Sequence, residues 1–192
     1  MEIQKSIQKS IETKQKILSN QALLDEIKDV AQTCVESLCQ GNKVYFCGNG
    51  GSAADAQHLA AELSGRYLYD RPPLPAEALH VNTSYLTAVA NDYSYDEVYS
   101  RLLRGCGHSG DVLIALSTSG NSKNILKAIE TAQELGMIVV GMTGETGGKM
   151  KNICDFLINV PSKETPRIQE SHILIGHILC EVIESSIFPK EP

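Results

Sequence analysis

The sequence predicts an α/β protein: a doubly wound, parallel, five-stranded sheet preceded by an N-terminal helical arm. Short continuous apolar runs alternate with segments of helical period from Lys43 onward, and strands apolar on both faces belong to a parallel sheet covered on both sides. Loops rich in glycine or hydroxyl groups follow the first and third of those runs. Residues 1–40, by contrast, carry only helical spacing.

In the N-terminal part, Ile3, Ile7, Ile11, Ile17 and Leu18 recur at three-to-four spacing, a narrow apolar stripe on a polar helix. Asn20 is placed to cap a second helix, Ala22–Cys39, which Gly41 ends. So thin a stripe has little core to cover, so residues 1–40 are read as an oligomerisation arm and residues 41–192 as the domain. Lys43–Cys47 is the first strand, followed by a glycine loop and the helix Ala53–Leu63. Ala76–Val81 is the second strand, after a Pro72–Pro75 loop, and Thr83–Ala90 and Asp96–Arg104 are helical. Asp111–Leu116, Met137–Met142 and Phe156–Val160 complete the sheet, with helices at Lys123–Leu135 and Pro166–Ile187.

With 192 residues, 42% of them apolar and 21% charged, the chain has the size and composition of one globular domain or of a domain with an added arm. Its 17 basic and 23 acidic residues leave a net charge of −6, which argues against a nucleic-acid partner. Trp is absent and aromatics are sparse, so a base-stacking platform is not expected. No apolar stretch approaches the ~18 residues of a membrane span, and Met1–Lys16 lacks the apolar core of a signal peptide. Cys34, Cys39, Cys47, Cys106, Cys154 and Cys180 form no CxxC pair and read as free, buried thiols in a reducing cytoplasm.

Two loops look built for phosphate. Gly48-Asn49-Gly50-Gly51-Ser52 lies between the first strand and a helix, where backbone amides and the helix N-terminus favour an anion. The run fits G-x-G-x-x-A loosely, but the expected second strand ending in an acid does not follow, and no GK[ST] occurs. Ser117-Thr118-Ser119-Gly120-Asn121-Ser122 follows the third strand. Capping a helix needs one hydroxyl, and four in six residues suit a phosphate monoester without any Lys or Arg.

His58 and Glu62, four apart on the helix after the first loop, project from one face, as a surface pair or as ligands for zinc or another divalent ion. The last helix adds Gln169, Glu170, His172 and His177; a lone histidine on so apolar a helix is commonly a core residue, and His172 is read as structural. Gln169 and His177 are ~12 Å apart on a straight helix, so binding one ion together requires an irregular first turn or two different subunits.

The segments Cys47–Arg66, Ala90–Asp92, Gly110–Ile129, Thr143–Met150 and Arg167–His177 together resemble the sugar isomerase (SIS) superfamily, with its flavodoxin-like sheet, and within it the phosphoheptose isomerases. The resemblance implies conversion of sedoheptulose 7-phosphate to D-glycero-D-manno-heptose 7-phosphate, the first step toward ADP-heptose for lipopolysaccharide core or a related surface glycan. It implies a cytoplasmic homotetramer with shared active sites and one zinc ion per subunit, held by His58, Glu62, Gln169 and His177. Substrate contacts would come from Asn49, Gly50, Gly51, Glu62, Asn91, Asp92, Ser117, Thr118, Ser119, Ser122 and Gln169. Glu62 is expected to act as base and His177 as acid across an enediol. Asp96-Glu97-Val98-Tyr99 and the Phe188-Pro189 tail also resemble a regulatory branch that binds the replication initiator DnaA, but that branch lacks the acid–base pair. An isomerase or sensor of another sugar phosphate is the remaining alternative.

Overall fold

A computed structural model describes residues 1–190. Two helices open the chain, α1 (Glu2–Leu18) and α2 (Gln21–Cys39), and Asn20 caps the second by accepting the Leu23 N–H. The wound region then runs β1 (Val44–Cys47), α3 (Gly51–Ser64), β2 (Ala76–Ala78), α4 (Thr83–Asp92), α5 (Val98–Cys106), β3 (Val112–Leu116), α6 (Lys123–Glu134), β4 (Ile138–Thr143), β5 (Phe156–Asn159) and α7 (Thr165–Ile187). All strand pairs are parallel, in the order β2-β1-β3-β4-β5. The connection leaving β1 runs to β2 on one side and that leaving β3 runs to β4 on the other, so a crevice opens at the carboxyl ends of β1 and β3, where such sheets bind ligands.

The strands are apolar on both faces because both are covered. Val44, Phe46, Ile114 and Met142 point into one layer with Ile27, Val30 and Cys34 of α2, Leu59 and Leu63 of α3 and Ile175 and Leu179 of α7. Tyr45, Cys47, Leu113 and Val139 point into the other, against Leu103 of α5 and Ile125, Ala128 and Ile129 of α6. Gly176 lets α7 approach α3 closely, since a Cβ there would stand 2.4 Å from Leu59 Cδ1.

Several elements differ from the expectation in extent. The second strand ends at Ala78, because the chain turns with Val81 N–H directed to the Ala78 carbonyl. The helix after the glycine loop starts two residues earlier, at Gly51. Residues 95–97 form a 3-10 turn that delays α5 to Val98.

Residues 1–40 serve two roles. In α2, Val30 and Cys34 are fully buried in the core layer, and the Glu26 carboxylate accepts the Leu157 N–H of edge strand β5 at 2.9 Å. The arm-like part is α1, which meets α7 mainly through polar contacts: Lys9 to Glu164 at 2.9 Å, Ser10 to Glu170 at 2.7 Å, and Arg167 to the Ser6 carbonyl. Its stripe divides accordingly, with Ile17 buried while Ile3, Ile7, Ile11 and Leu18 face outward. The cysteines are free, but only Cys34, Cys47 and Cys180 are buried; Cys106 and Cys154 are half-buried and Cys39 is exposed. No helix among the described residues is long and apolar enough to cross a membrane.

Candidate active site

The two phosphate-type loops stand side by side because their strands are neighbours, with Cys47 opposite Ala115. Gly50, with φ +56°, turns the first loop into α3 and is its N-cap residue without a side-chain cap bond. Ser122 is likewise the N-cap residue of α6 without a cap bond. Its hydroxyl pairs with Ser117 at 3.1 Å instead. Neither cap residue satisfies an amide of its helix, and in α6 only the Ile125 N–H finds a side chain, Asn124 Oδ1 at 3.0 Å, so N-terminal amides stand beside hydroxyls that capping does not consume.

The loops are clasped together by a residue that the sequence reading did not single out. Asn124, buried at the start of α6, accepts from Asn49 Nδ2 at 2.9 Å and donates to Asn49 Oδ1 at 2.8 Å. The Tyr95 hydroxyl reaches the same Oδ1 at 3.3 Å, and the buried Tyr99 hydroxyl donates to the Gly48 carbonyl. The Asn49 side chain is thus committed to the protein, and Tyr95 and Tyr99 act as supports of the glycine loop. On the other side, Gly120, with φ +65°, lies against the Gly147 backbone so tightly that a Cβ would stand 2.1 Å from the Gly147 carbonyl oxygen. Its own carbonyl accepts the Lys149 N–H at 3.0 Å. That contact gives the Thr143–Met150 segment its place: it buttresses the hydroxyl loop.

His58, Glu62 and His177 meet. His58 Nε2 is 2.9 Å from Glu62 Oε1 and 3.2 Å from His177 Nε2. One donor atom from each residue lies within 4.8 Å of the others, a set able to hold a metal ion. The cluster is open, with the His58 side chain 50% exposed. Two ligands bonded at ~2.0 Å in a tetrahedron lie about 3.3 Å apart, so the spacing of the two imidazoles fits a shared ion. Tyr67 flanks the cluster, its ring stacked on His177 at 5.7 Å between centroids. Asp55, one turn before His58, has a buried Oδ2 without a partner, and burial pushes its carboxyl pKa up against the opposing pull of His58.

Other expected residues stand apart. Gln169 lies at the glycine loop, where a Cβ on Gly51 would be 2.7 Å from its Nε2. Because α7 is regular from Thr165, the irregular turn that would bring Gln169 to its own chain's His177 is absent. Asn91 and Asp92, at the exposed end of α4, bond to each other through Asn91 Nδ2 and Asp92 Oδ1 at 3.0 Å. His172 is fully buried, one ring nitrogen 3.2 Å from the Thr143 carbonyl.

The profile of the SIS domain family matches residues 7–144. A phosphoheptose isomerase from Aneurinibacillus thermoaerophilus is 55% identical over 186 residues, covering 97% of this chain and 94% of the relative. One from Rhodospirillum rubrum is 59% identical over 161 residues, covering 84% of this chain and 86% of its own. Among solved structures, phosphoheptose isomerase GmhA from Neisseria gonorrhoeae superposes with a TM-score of 0.90 at 42% identity, over 96% of this chain and 97% of the other. A phosphoheptose isomerase from Francisella tularensis gives 0.92 at 37% identity, with the same coverages of 96% and 97%.

Proposed function

The chain belongs to the SIS domain family, among its phosphoheptose isomerases, which are aldose–ketose isomerases, and from that premise we propose that it converts sedoheptulose 7-phosphate to D-glycero-D-manno-heptose 7-phosphate with Glu62 and His177 as the reacting groups. The observation that carries this assignment of roles is the meeting of His58, Glu62 and His177 in one open cluster. Glu62 removes a proton from C1 of the ketose while His177 gives one to the C2 oxygen, forming the enediol. Glu62 then returns a proton to C2 as His177 takes one from the C1 oxygen, leaving the aldehyde. Each assisted transfer is worth roughly 10²–10⁴-fold.

The hydroxyls of Ser117, Thr118, Ser119 and Ser122 and the amides of Gly50 and Gly51 bind the phosphate, and the Asn49 side chain holds that cradle in shape. Fixing the phosphate remote from C1 and C2 converts binding energy into orientation of the reacting carbons. His58, Glu62 and His177 would hold zinc, which when bound supplies a Lewis acid for the sugar oxygens. Gln169 of a neighbouring subunit would complete the ligand set, and Asn91 and Asp92 would reach the substrate across the same shared interface of a homotetramer. The conversion would be, in the cytoplasm, the first step toward ADP-heptose for lipopolysaccharide core or a related surface glycan.

The test is direct. Purified protein receives sedoheptulose 7-phosphate with and without a chelator, beside Glu62→Gln and His177→Ala. Turnover by the wild type and its loss in both variants are expected. A zinc-supplied wild type that binds DnaA tightly but turns nothing over would overturn the assignment, and full activity in Glu62→Gln would remove Glu62 from its role.

A further inference from the structure

Arg71 and Glu184 have no part in the chemistry above, and both are enclosed. Their side chains are 2% and 1% exposed, and Arg71 Nε donates to Glu184 Oε1 at 3.0 Å. A buried ion pair is weak evidence for stability, because desolvation offsets much of the attraction and apolar replacements are often tolerated. What distinguishes this pair is where its remaining hydrogen bonds go.

Arg71 Nη2 donates to the backbone carbonyl of Glu62 at 2.8 Å, and Nη1 donates to those of Leu63 at 2.7 Å and Gly65 at 3.0 Å. These are carbonyls at the end of α3, where a helix runs out of its own donors. The Glu184 carboxylate accepts the N–H of Tyr67 at 2.9 Å and of Leu68 at 2.8 Å. Glu184 lies seven residues beyond His177 on α7, two turns along the same face. One buried node therefore holds the backbone of Glu62, the backbone of the tyrosine stacked on His177, and the helix that carries His177.

We propose that Arg71 and Glu184 are positioning residues for the Glu62–His177 pair, fixing the distance between α3 and α7 at the cluster. The inference rests on the roles given above to Glu62 and His177. Supporting groups of this kind typically change activity by roughly 10–100-fold when altered, and small misplacements of reacting groups are costly.

The full-length variants Arg71→Lys and Glu184→Gln test it. Leu103→Ala, a lesion in the opposite core layer, controls for general destabilisation. Two readouts are taken: kcat and KM for sedoheptulose 7-phosphate, and the ring resonances of His58 and His177 in metal-free protein. The expected result is a kcat lower by roughly 10–100-fold, a nearly unchanged KM because the phosphate loops lie at the other end of α3, and displaced ring resonances. If Arg71→Lys does not fold, Glu184→Gln, which keeps the side-chain shape and one of the two acceptor oxygens, decides the matter. Unmoved resonances with a kcat loss no larger than that of Leu103→Ala would overturn the proposal, as would a raised KM at unchanged kcat. An inactive wild type would count against the isomerase reading alone, since the ring resonances decide this proposal without turnover.

Discussion

His172 makes the stability of this protein depend on pH in a way that can be worked from its surroundings. The ring is fully buried in α7, one nitrogen 3.2 Å from the Thr143 carbonyl. A carbonyl only accepts, so that nitrogen, Nε2, carries the proton of the neutral ring. Nδ1 is buried without a partner, so a second proton there would create an unsolvated charge with nothing to receive its hydrogen bond. Burial accordingly lowers the His172 pKa from the ordinary 6.5 to about 4, against a small upward pull from the Thr143 bond. The sign follows from linkage: between these values the unfolded chain takes up a proton that the folded chain refuses, so stability falls as pH falls. The contribution is complete above 6.5, is lost progressively down to about 4, and is constant below that. At 1.36 kcal/mol per pH unit the loss is about 3 kcal/mol.

The variant that isolates it is His172→Gln, which keeps an N–H for Thr143 and cannot titrate. Urea unfolding of both proteins is followed from pH 7.5 to 4 at one protein concentration, so that other titrating groups and assembly cancel in the difference. With m of about 1–3 kcal/mol/M, the wild-type midpoint should fall by roughly 1–3 M more than that of the variant. Parallel curves would refute the burial argument.

Asn124→Ala should cost about 1–3 kcal/mol, because the half-buried Asn49 amide loses both of its bonds to Asn124 and keeps only the longer one from Tyr95, and should raise KM far more than it lowers kcat; steady-state kinetics and thermal melts check both. Gly120→Ala should disorder the hydroxyl loop, since the side chain would collide with the Gly147 backbone at a positive φ. The readout is inorganic phosphate affinity by calorimetry, and wild-type affinity in the variant would remove that loop from phosphate binding. Chelation should abolish turnover and zinc should restore it, whereas in His58→Ala zinc at wild-type saturating concentration should restore little.

The wound core was legible in the sequence because its signals are local. Apolar runs such as Val112–Leu116 and the helical period of Lys123–Glu134 are set by residues a few positions apart. The projection of His58 and Glu62 from one face of α3 is local geometry as well, as are the glycine and hydroxyl loops. The α1 stripe was read correctly as helical, but its outward direction depends on the polar contacts α1 makes with residues more than 150 positions away.

The sequence by itself therefore determined the order of strands and helices, the loops proposed to hold the phosphate, and the pair on α3, because each arises from backbone geometry within one element. The family resemblance pointed to His177 as the histidine of α7 that joins that pair, and only the tertiary structure supplied the physical reason. His172 and His177 sit on the same helix, yet one is sealed under the Thr143 carbonyl and the other faces His58. That choice follows from how α7 packs on α3, through the close approach at Gly176 and the buried Arg71–Glu184 pair, whose members are 113 positions apart in the chain. No local pattern specifies such a meeting, since it is the burial of two helix faces against one sheet that brings those residues together.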